Sequence, residues 1–169
     1  MNIKTSFSLL ILSLVVASIV TVKPSLAVQT GEPTASGNGE FNFFNQLRNR
    51  VDIIDFSFDS MLMKNGKTRG RALFDNLTTQ TSVDVKLNCM AISAADAVMS
   101  GTVQRSTDPD FPFGANVIFA VTDGDNVPIP GFGDRITPLT LTPSADFDCN
   151  DGAPSTVRLL DSGQIVVRL

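Results

Sequence analysis

The chain has 169 residues, with 17 acidic against 13 basic ones and a formal net charge of −4 at pH 7. A field of this sign repels polyanions, so we do not expect a protein that binds nucleic acid. The chain contains no His, Trp or Tyr, which excludes Ser-His-Asp and Cys-His catalysis and removes the usual aromatic platforms for sugar stacking.

The first 27 residues have the layout of a signal peptide. A short start containing Lys4 precedes an apolar run over 6–22, which ends at Lys23-Pro24. Ser25 and Ala27 then supply small residues at the −3 and −1 positions of a cleavage site. The apolar run is shorter than the about 20 residues of a membrane span. We therefore favour cleavage after Ala27 over an uncleaved anchor, and predict a secreted or envelope protein without stable membrane insertion.

Removal of residues 1–27 would leave 142 residues, 11 basic and 17 acidic, which suffices for one domain with its own core. We predict a flexible leader over 28–38, because VQTGEPTASGN is polar and aperiodic and contains Gly and Pro. A single β domain is then expected over 39–169.

The pattern after Phe41 is typical of strands, since short β-branched or Phe-rich runs alternate with Gly, Pro, Asn and Asp. The clearest strand is 82–92, where a period of two places Val83, Val85 and Cys89 on the core face. Eight or nine strands joined by short turns predict an all-β fold, an antiparallel sandwich or barrel. The predicted strands cover 39–44, 54–63, 68–76, 82–92, 97–104, 115–122, 135–142, 156–160 and 164–169.

The hairpin around Lys64-Asn65-Gly66 allows a prediction of register. A three-residue loop with Gly66 in the left-handed conformation keeps the Phe side chains on one face. A two-residue turn would shift the pairing by one and mix Phe58 with Arg69 on a single face. We therefore predict the three-residue loop, which also creates one like-charge pair. The expected partners are Asp55–Asp75, Phe56–Phe74, Phe58–Ala72, Asp59–Arg71 and Met61–Arg69.

Cys89 and Cys149 are the only two cysteines. In an oxidising compartment an even number predicts a disulfide, and its loop of about 60 residues would be worth roughly 4 kcal/mol. Two free thiols are the alternative. A two-Cys metal site ranks lower, because nothing else in the chain supplies soft ligands.

An acidic loop is the best candidate for a metal site. Its oxygen donors suit Ca²⁺, which takes six to eight of them. Val127 and the lack of a closing Glu exclude an EF-hand, and Asp and Asn also favour turns by bonding their own backbone. We rank turn chemistry above calcium and expect no other cofactor. The candidate ligands are Asp123, Asp125, Asn126 and Asp134.

Three weaker candidates remain. The acidic turns at 108–110 and 146–151 could supply the carboxylate pair of a glycoside hydrolase. The basic row of Lys67, Arg69 and Arg71 could dock an anionic group, although a solvated face that blunts edge pairing ranks higher. Asn76-Leu77-Thr78 is a glycosylation sequon.

Short motifs in the second half carry a resemblance. They are 83–89 (VDVKLNC), 100–103 (SGTV) with Ser106 and Pro109, 111–114 (FPFG), 117–123 (VIFAVTD), 133–136 (GDRI), Cys149 and 163–167 (GQIVV). With these motifs, the chain over roughly 39–169 resembles a group of exported bacterial single-domain β proteins with paired cysteines, and 41–62 matches least. The resemblance implies export, a β domain and pairing of Cys89 with Cys149, and it implies no activity or ligand.

We expect a non-enzymatic module that binds or supports structure through its loops or an edge strand. The alternative is a calyx-like barrel that carries a small apolar ligand, and a weaker one is an Asp-based hydrolase. The interior of the folded domain distinguishes these three functions. A filled core favours the first, a large cavity open at one end the second, and two facing carboxylates in a cleft the third.

Overall fold

The computed structural model describes residues 32–46, 48–142, 149, 152, 154 and 157–169, so the predicted signal peptide lies outside it. The described part of the chain holds no helix long and apolar enough to cross a membrane. A 3-10 turn lies at Gly124–Asn126. The strands are β1 (Thr34–Asn45), β2 (Arg50–Leu62), β3 (Thr68–Asn76), β4 (Thr81–Ser93), β5 (Asp96–Ser106), β6 (Asn116–Thr122), β7 (Arg135–Ile136), β8 (Thr140–Leu141), β9 (Arg158–Leu159) and β10 (Ser162–Arg168).

The ten strands form one antiparallel sheet, which confirms the all-β prediction. The strand order is β10-β1-β2-β3-β4-β5-β6-β7-β9, and β8 pairs with β6. The backbone ladder does not close, because β10 and β9 end the order. The sheet nevertheless curls over its core, since Phe119 of β6 packs against Phe58 and Phe74 of β2 and β3, with ring centroids 5.6 and 5.1 Å apart.

The predicted strand over 135–142 is interrupted, which brings the strand count to ten. Its two parts, β7 and β8, both pair with β6. Pro138 lies between them and has no N–H to give to the ladder. The Thr137 hydroxyl fills part of the gap and accepts a hydrogen bond from the Ala120 N–H at 2.9 Å.

The hairpin between β2 and β3 has the predicted register. Gly66 has φ of 75°, the Gly66 N–H donates to the Met63 carbonyl at 2.8 Å, and the Met63 N–H donates to the Lys67 carbonyl at 2.9 Å. All five expected pairs are present. Phe56, Phe58, Ala72 and Phe74 are buried, while Asp59, Arg69 and Arg71 face solvent. The three-residue loop is therefore confirmed.

The flexible-leader prediction is wrong for 34–38, which form the first part of β1. Residues 28–31 of the predicted leader lie outside the described residues. Ala35 is fully buried, and β1 pairs with β10 on one side and with β2 on the other. Gly37 suits a strand here because a Cβ would come within 2.8 Å of the Phe58 ring and 3.0 Å of the Gln164 carbonyl. Close packing, rather than chain flexibility, explains this small residue.

The prediction that Cys89 lies on the core face of β4 is also wrong. The register between β4 and β5 shifts between Leu87 and Cys89, so Asn88 is an extra residue. Such a bulge inverts the alternation beyond it. Met90 consequently joins the core, and Cys89 is only half-buried.

The disulfide between Cys89 and Cys149 is confirmed. The two Cα atoms are 6.0 Å apart, within the usual range for a disulfide. Cys149 is buried, with 2% of its surface exposed. The bond therefore ties the chain that follows β8 to the face of β4 opposite the core.

Candidate functional site

The interior of the curled sheet is filled by aromatic rings. Phe41 contacts Phe56, which contacts Phe74, with ring centroids 5.9 and 6.5 Å apart. Phe74 and Phe58 both meet Phe119 edge-on. These rings occupy the space that a deep calyx would need, since pockets for small-molecule ligands usually measure about 300–1,000 Å³.

A small cavity lies at the end of the sheet where Arg48 and the 107–115 loop meet the adjoining ends of β3 and β4. Its volume is about 80 Å³, and we call it the loop-end pocket. Aromatic and aliphatic side chains form most of its wall, and the half-buried Leu139 stands at its side. The apolar wall comprises Phe41, Phe43, Ile54, Phe74, Val83, Phe111, Pro138 and Leu139.

An ion pair between two loops crosses the rim of the loop-end pocket. Arg48 donates to the Asp110 carboxylate at 2.7 Å, which joins the β1–β2 turn to the loop after β5. The Asp110 N–H in turn donates to Asp108 at 3.0 Å, and the Thr81 hydroxyl donates to Asp108 at 3.1 Å. The rim is thus a chain of polar contacts around an apolar interior.

A buried carboxylate lies in the wall below this rim. Asp52 is 1% exposed and accepts hydrogen bonds from Arg50 Nε at 2.7 Å and from Asn45 Nδ2 at 2.9 Å. Arg50 Nη2 is buried and has no hydrogen-bond partner among the described residues. A buried donor of this kind is costly unless it is paired. Two hydrogen bonds therefore fix the Asp52 carboxylate in the pocket wall. The guanidinium of Arg50, which makes one of these bonds, keeps its buried Nη2 without a partner among the described residues.

The candidate calcium ligands lie elsewhere, where β10 approaches the chain that follows β6. Asp123 Oδ2 accepts the Val167 N–H at 3.0 Å, and Asp134 Oδ2 accepts the Ile165 N–H at 2.6 Å. Asn126 Nδ2 donates to the Val167 carbonyl at 3.1 Å. We call Asp123, Asn126 and Asp134 the side-chain seam, because they bridge the gap that the backbone ladder leaves open.

The two seam carboxylates, Asp123 and Asp134, use their oxygens to accept hydrogen bonds from backbone N–H groups. Asp123 also accepts the Asp125 N–H at 3.1 Å, the turn chemistry expected of this loop, and Asp134 accepts the Gly124 N–H at 2.7 Å. Asp125 is exposed. Within the residues that the structure describes, no three acidic, Cys or His side chains gather in a group that could hold a metal ion.

The basic row occupies an interior strand, so the prediction that it blunts a sheet edge is wrong. β3 lies between β2 and β4. Arg71 makes two hydrogen bonds of 2.7 Å to the Asp84 carboxylate, and Arg105 makes a third at 3.1 Å. The Arg71 hydrogen bond lowers the pKa of Asp84 from its ordinary value, with Arg105 acting in the same direction against desolvation.

Two sequence candidates remain, the sequon at Asn76 and the acidic turn at 146–151. The Asn76 side chain is buried and its oxygen accepts the N–H groups of Thr78 and Thr79, so it serves the turn rather than a glycan. The acidic turn at 146–151 lies outside the described residues, apart from the disulfide-bonded Cys149.

Sequence reasoning found only part of the loop-end pocket. The acidic turn of Asp108 and Asp110 was noted, but for a hydrolase. The sequence analysis did not identify Arg48 and Asp52. A signal was present, because Arg48, Arg50 and Asp52 are three charged residues within a segment of five. Only the fold brings Arg48 to Asp110, across 62 positions of sequence.

Comparison of the chain with models of known families, with curated proteins and with solved structures finds no match. The resemblance to exported bacterial β proteins therefore stays a prediction. Function has to be inferred from the loop-end pocket and from the surfaces of the sheet.

Proposed function

We propose that this protein is an exported, non-enzymatic binding module whose loop-end pocket holds an aliphatic side chain of a protein partner. The carrying observation is an apolar cavity of about 80 Å³ under a charged rim, beside a core in which Phe rings of the described strands pack against each other. A pocket of this form suits the anchor residue of an interface, where an apolar group is buried and a polar rim excludes water.

The size of the pocket supports an anchor side chain over a free ligand. An apolar protein cavity of about 150 Å³ is known to accept benzene, so about half that volume suits a group of Val or Leu size. The calyx-like carrier is less well supported for the same reason.

The edge of the sheet at β10 is the less favoured means of binding. Strand addition needs free N–H and C=O groups along an edge. On β10 the outward N–H groups of Ile165 and Val167 are already bonded to the seam carboxylates. An Asp-based hydrolase is not favoured either, since Asp108 and Asp110 are both held by the rim contacts.

Export is supported by the disulfide, because such bonds persist in oxidising compartments. The mature protein recovered outside the cytoplasm should have the intact mass of a chain that begins at Val28. Recovery of a full-length species in the membrane would contradict export.

A displayed peptide library tests the binding proposal. We expect selection on the disulfide-bonded domain to enrich peptides that share one aliphatic residue. These peptides should lose most of their affinity for Leu139→Phe, which fills the pocket. They should retain it for Leu160→Phe, the matched change at a half-buried Leu that packs on the core outside the pocket.

Equal binding of the selected peptides to the two variants would overturn the proposal, provided both unfold cooperatively. Enrichment of peptides without an aliphatic residue would overturn it too, because such peptides would be recognised by another surface.

A further inference from the structure

A row of three carboxylates crosses the outer face of the sheet. Glu40 lies directly opposite Asp55, and Asp55 lies directly opposite Asp75, on three neighbouring strands. None of the three forms an ion pair among the described residues. Like charges directly opposite each other destabilise a sheet, so the isolated chain holds an unfavourable arrangement here.

A basic region lies on the same face towards the other end of the strands. Arg69 precedes Asp75 by six positions on β3, a spacing of roughly 20 Å along the strand. Arg69 is exposed and forms no ion pair within the described residues. The outer face of β2 and β3 is therefore acidic at one end and basic at the other.

We propose that a second copy of this chain docks on the outer face of β2 and β3, with its strands reversed. The twofold axis passes over the Phe58–Ala72 pair, lies parallel to the sheet and runs across the strands. Rotation about this axis brings Asp75 of one copy to Arg69 of the other. Each contact of this kind occurs twice by symmetry. The charge complementarity between the two ends of one face identifies a second copy as the occupant.

Two exposed apolar side chains on this face also fit the same axis. Ile53 meets Met63 of the second copy, and both are 37% exposed in the single chain. Apolar contacts at the ends of the face thus flank the two Asp75–Arg69 contacts.

Analytical ultracentrifugation of the disulfide-bonded domain tests this proposal. We expect a dimer that weakens as salt is raised from about 50 mM to about 500 mM, because screening acts on exposed charge pairs. Asp75→Lys and Arg69→Glu should each raise the dimer Kd by about tenfold or more. The double variant should recover most of that loss, since the two exchanged charges again attract each other across the axis. Asp125→Lys, the same charge change on the seam loop, should leave the Kd unchanged.

Two results would overturn the proposal. One is a chain that stays monomeric at about millimolar concentration in low salt. The other is a dimer in which the double variant is no better than either single one. Misfolding is controlled by thermal unfolding of each variant, and Asp75→Lys should not lower stability because it removes the repulsion from Asp55. Neither result bears on the loop-end pocket, which Leu139→Phe tests separately.

Discussion

Phe56 and Arg69 show how strongly single residues of the β2–β3 hairpin differ in their surroundings. Phe56 is 2% exposed and contacts the rings of Phe41, Phe58 and Phe74. Arg69 lies on the opposite face in solvent. Stability should therefore depend on the apolar face of this hairpin and hardly on the charged one.

Truncation of Phe56 to Ala is expected to cost about 3–5 kcal/mol, since it removes a buried ring and leaves a cavity. Arg69→Ala should cost well under about 1 kcal/mol. Gly66→Val should also be destabilising, because a β-branched residue resists the φ of 75° found there. Urea unfolding measures all three, and an Arg69→Ala loss larger than that of Phe56→Ala would contradict the assigned faces.

Asp84 should make folding dependent on acid. Its pKa lies below the ordinary Asp value, chiefly through the hydrogen bond from Arg71. A group whose pKa is lower in the folded state contributes stability above the unfolded pKa and loses it as the pH falls through the folded one. The stability difference between the wild type and Asp84→Asn should thus be present at pH 7 and shrink below about pH 4. A difference that grows in acid would contradict this sign.

At the scale of elements, β10 is held in two different ways. A backbone ladder joins it to β1, whereas the side-chain seam joins it to the region after β6. A carboxylate can accept one N–H on each oxygen, and Asp134 does so with Gly124 and Ile165. An amide has only one acceptor oxygen and cannot replace both bonds.

Asp134→Asn is accordingly expected to speed hydrogen exchange at the Ile165 or the Gly124 amide, with a loss of about 1–3 kcal/mol for an unpaired buried donor. Asp125→Asn is the matched control, because the structure assigns the Asp125 carboxylate no bond in the seam. Amide exchange followed by NMR measures both. Unchanged protection of both amides in Asp134→Asn would contradict the seam.

Local sequence patterns predicted the strands and the β2–β3 register, but not the contacts between strands that are distant in sequence. The β2–β3 register followed from alternating Phe residues and a Gly after Asn, signals that lie close together in the sequence. The bulge at Asn88 could not be predicted, because a polar residue at that position is also expected in a regular strand whose side chains alternate between core and solvent. The start of β1 was hidden because Gly37 reflects contacts with Phe58 and β10, which are distant in sequence. The seam and the Arg48–Asp110 pair depend on the assembled sheet in the same way.

At the scale of the whole molecule, one covalent bond secures the chain that links β8 to β9. Cys89 and Cys149 are separated by 60 positions. Cys149→Ser is expected to lower stability by about 4 kcal/mol on the chain-entropy model. Alkylation of the unreduced wild type should label neither cysteine. Labelling of both in the folded protein would contradict the disulfide.

The proposed function rests on the loop-end pocket, which shares no residue with the seam, the disulfide or the proposed dimer contacts on the outer face. Its volume of about 80 Å³ leaves room for one aliphatic group beneath the Arg48–Asp110 pair. Isobutanol has the size and branching of a Leu side chain and is therefore a suitable probe.

Titration of the ¹⁵N-labelled domain with isobutanol tests this account most directly. We expect saturable amide shifts confined to Arg48, Asn76, Thr81, the 107–115 loop and Leu139. The shifts should disappear in Leu139→Phe and persist in Leu160→Phe. Shifts that are linear with concentration and spread over the whole sheet, or that are unchanged in Leu139→Phe, would contradict the proposal that this pocket is the binding site.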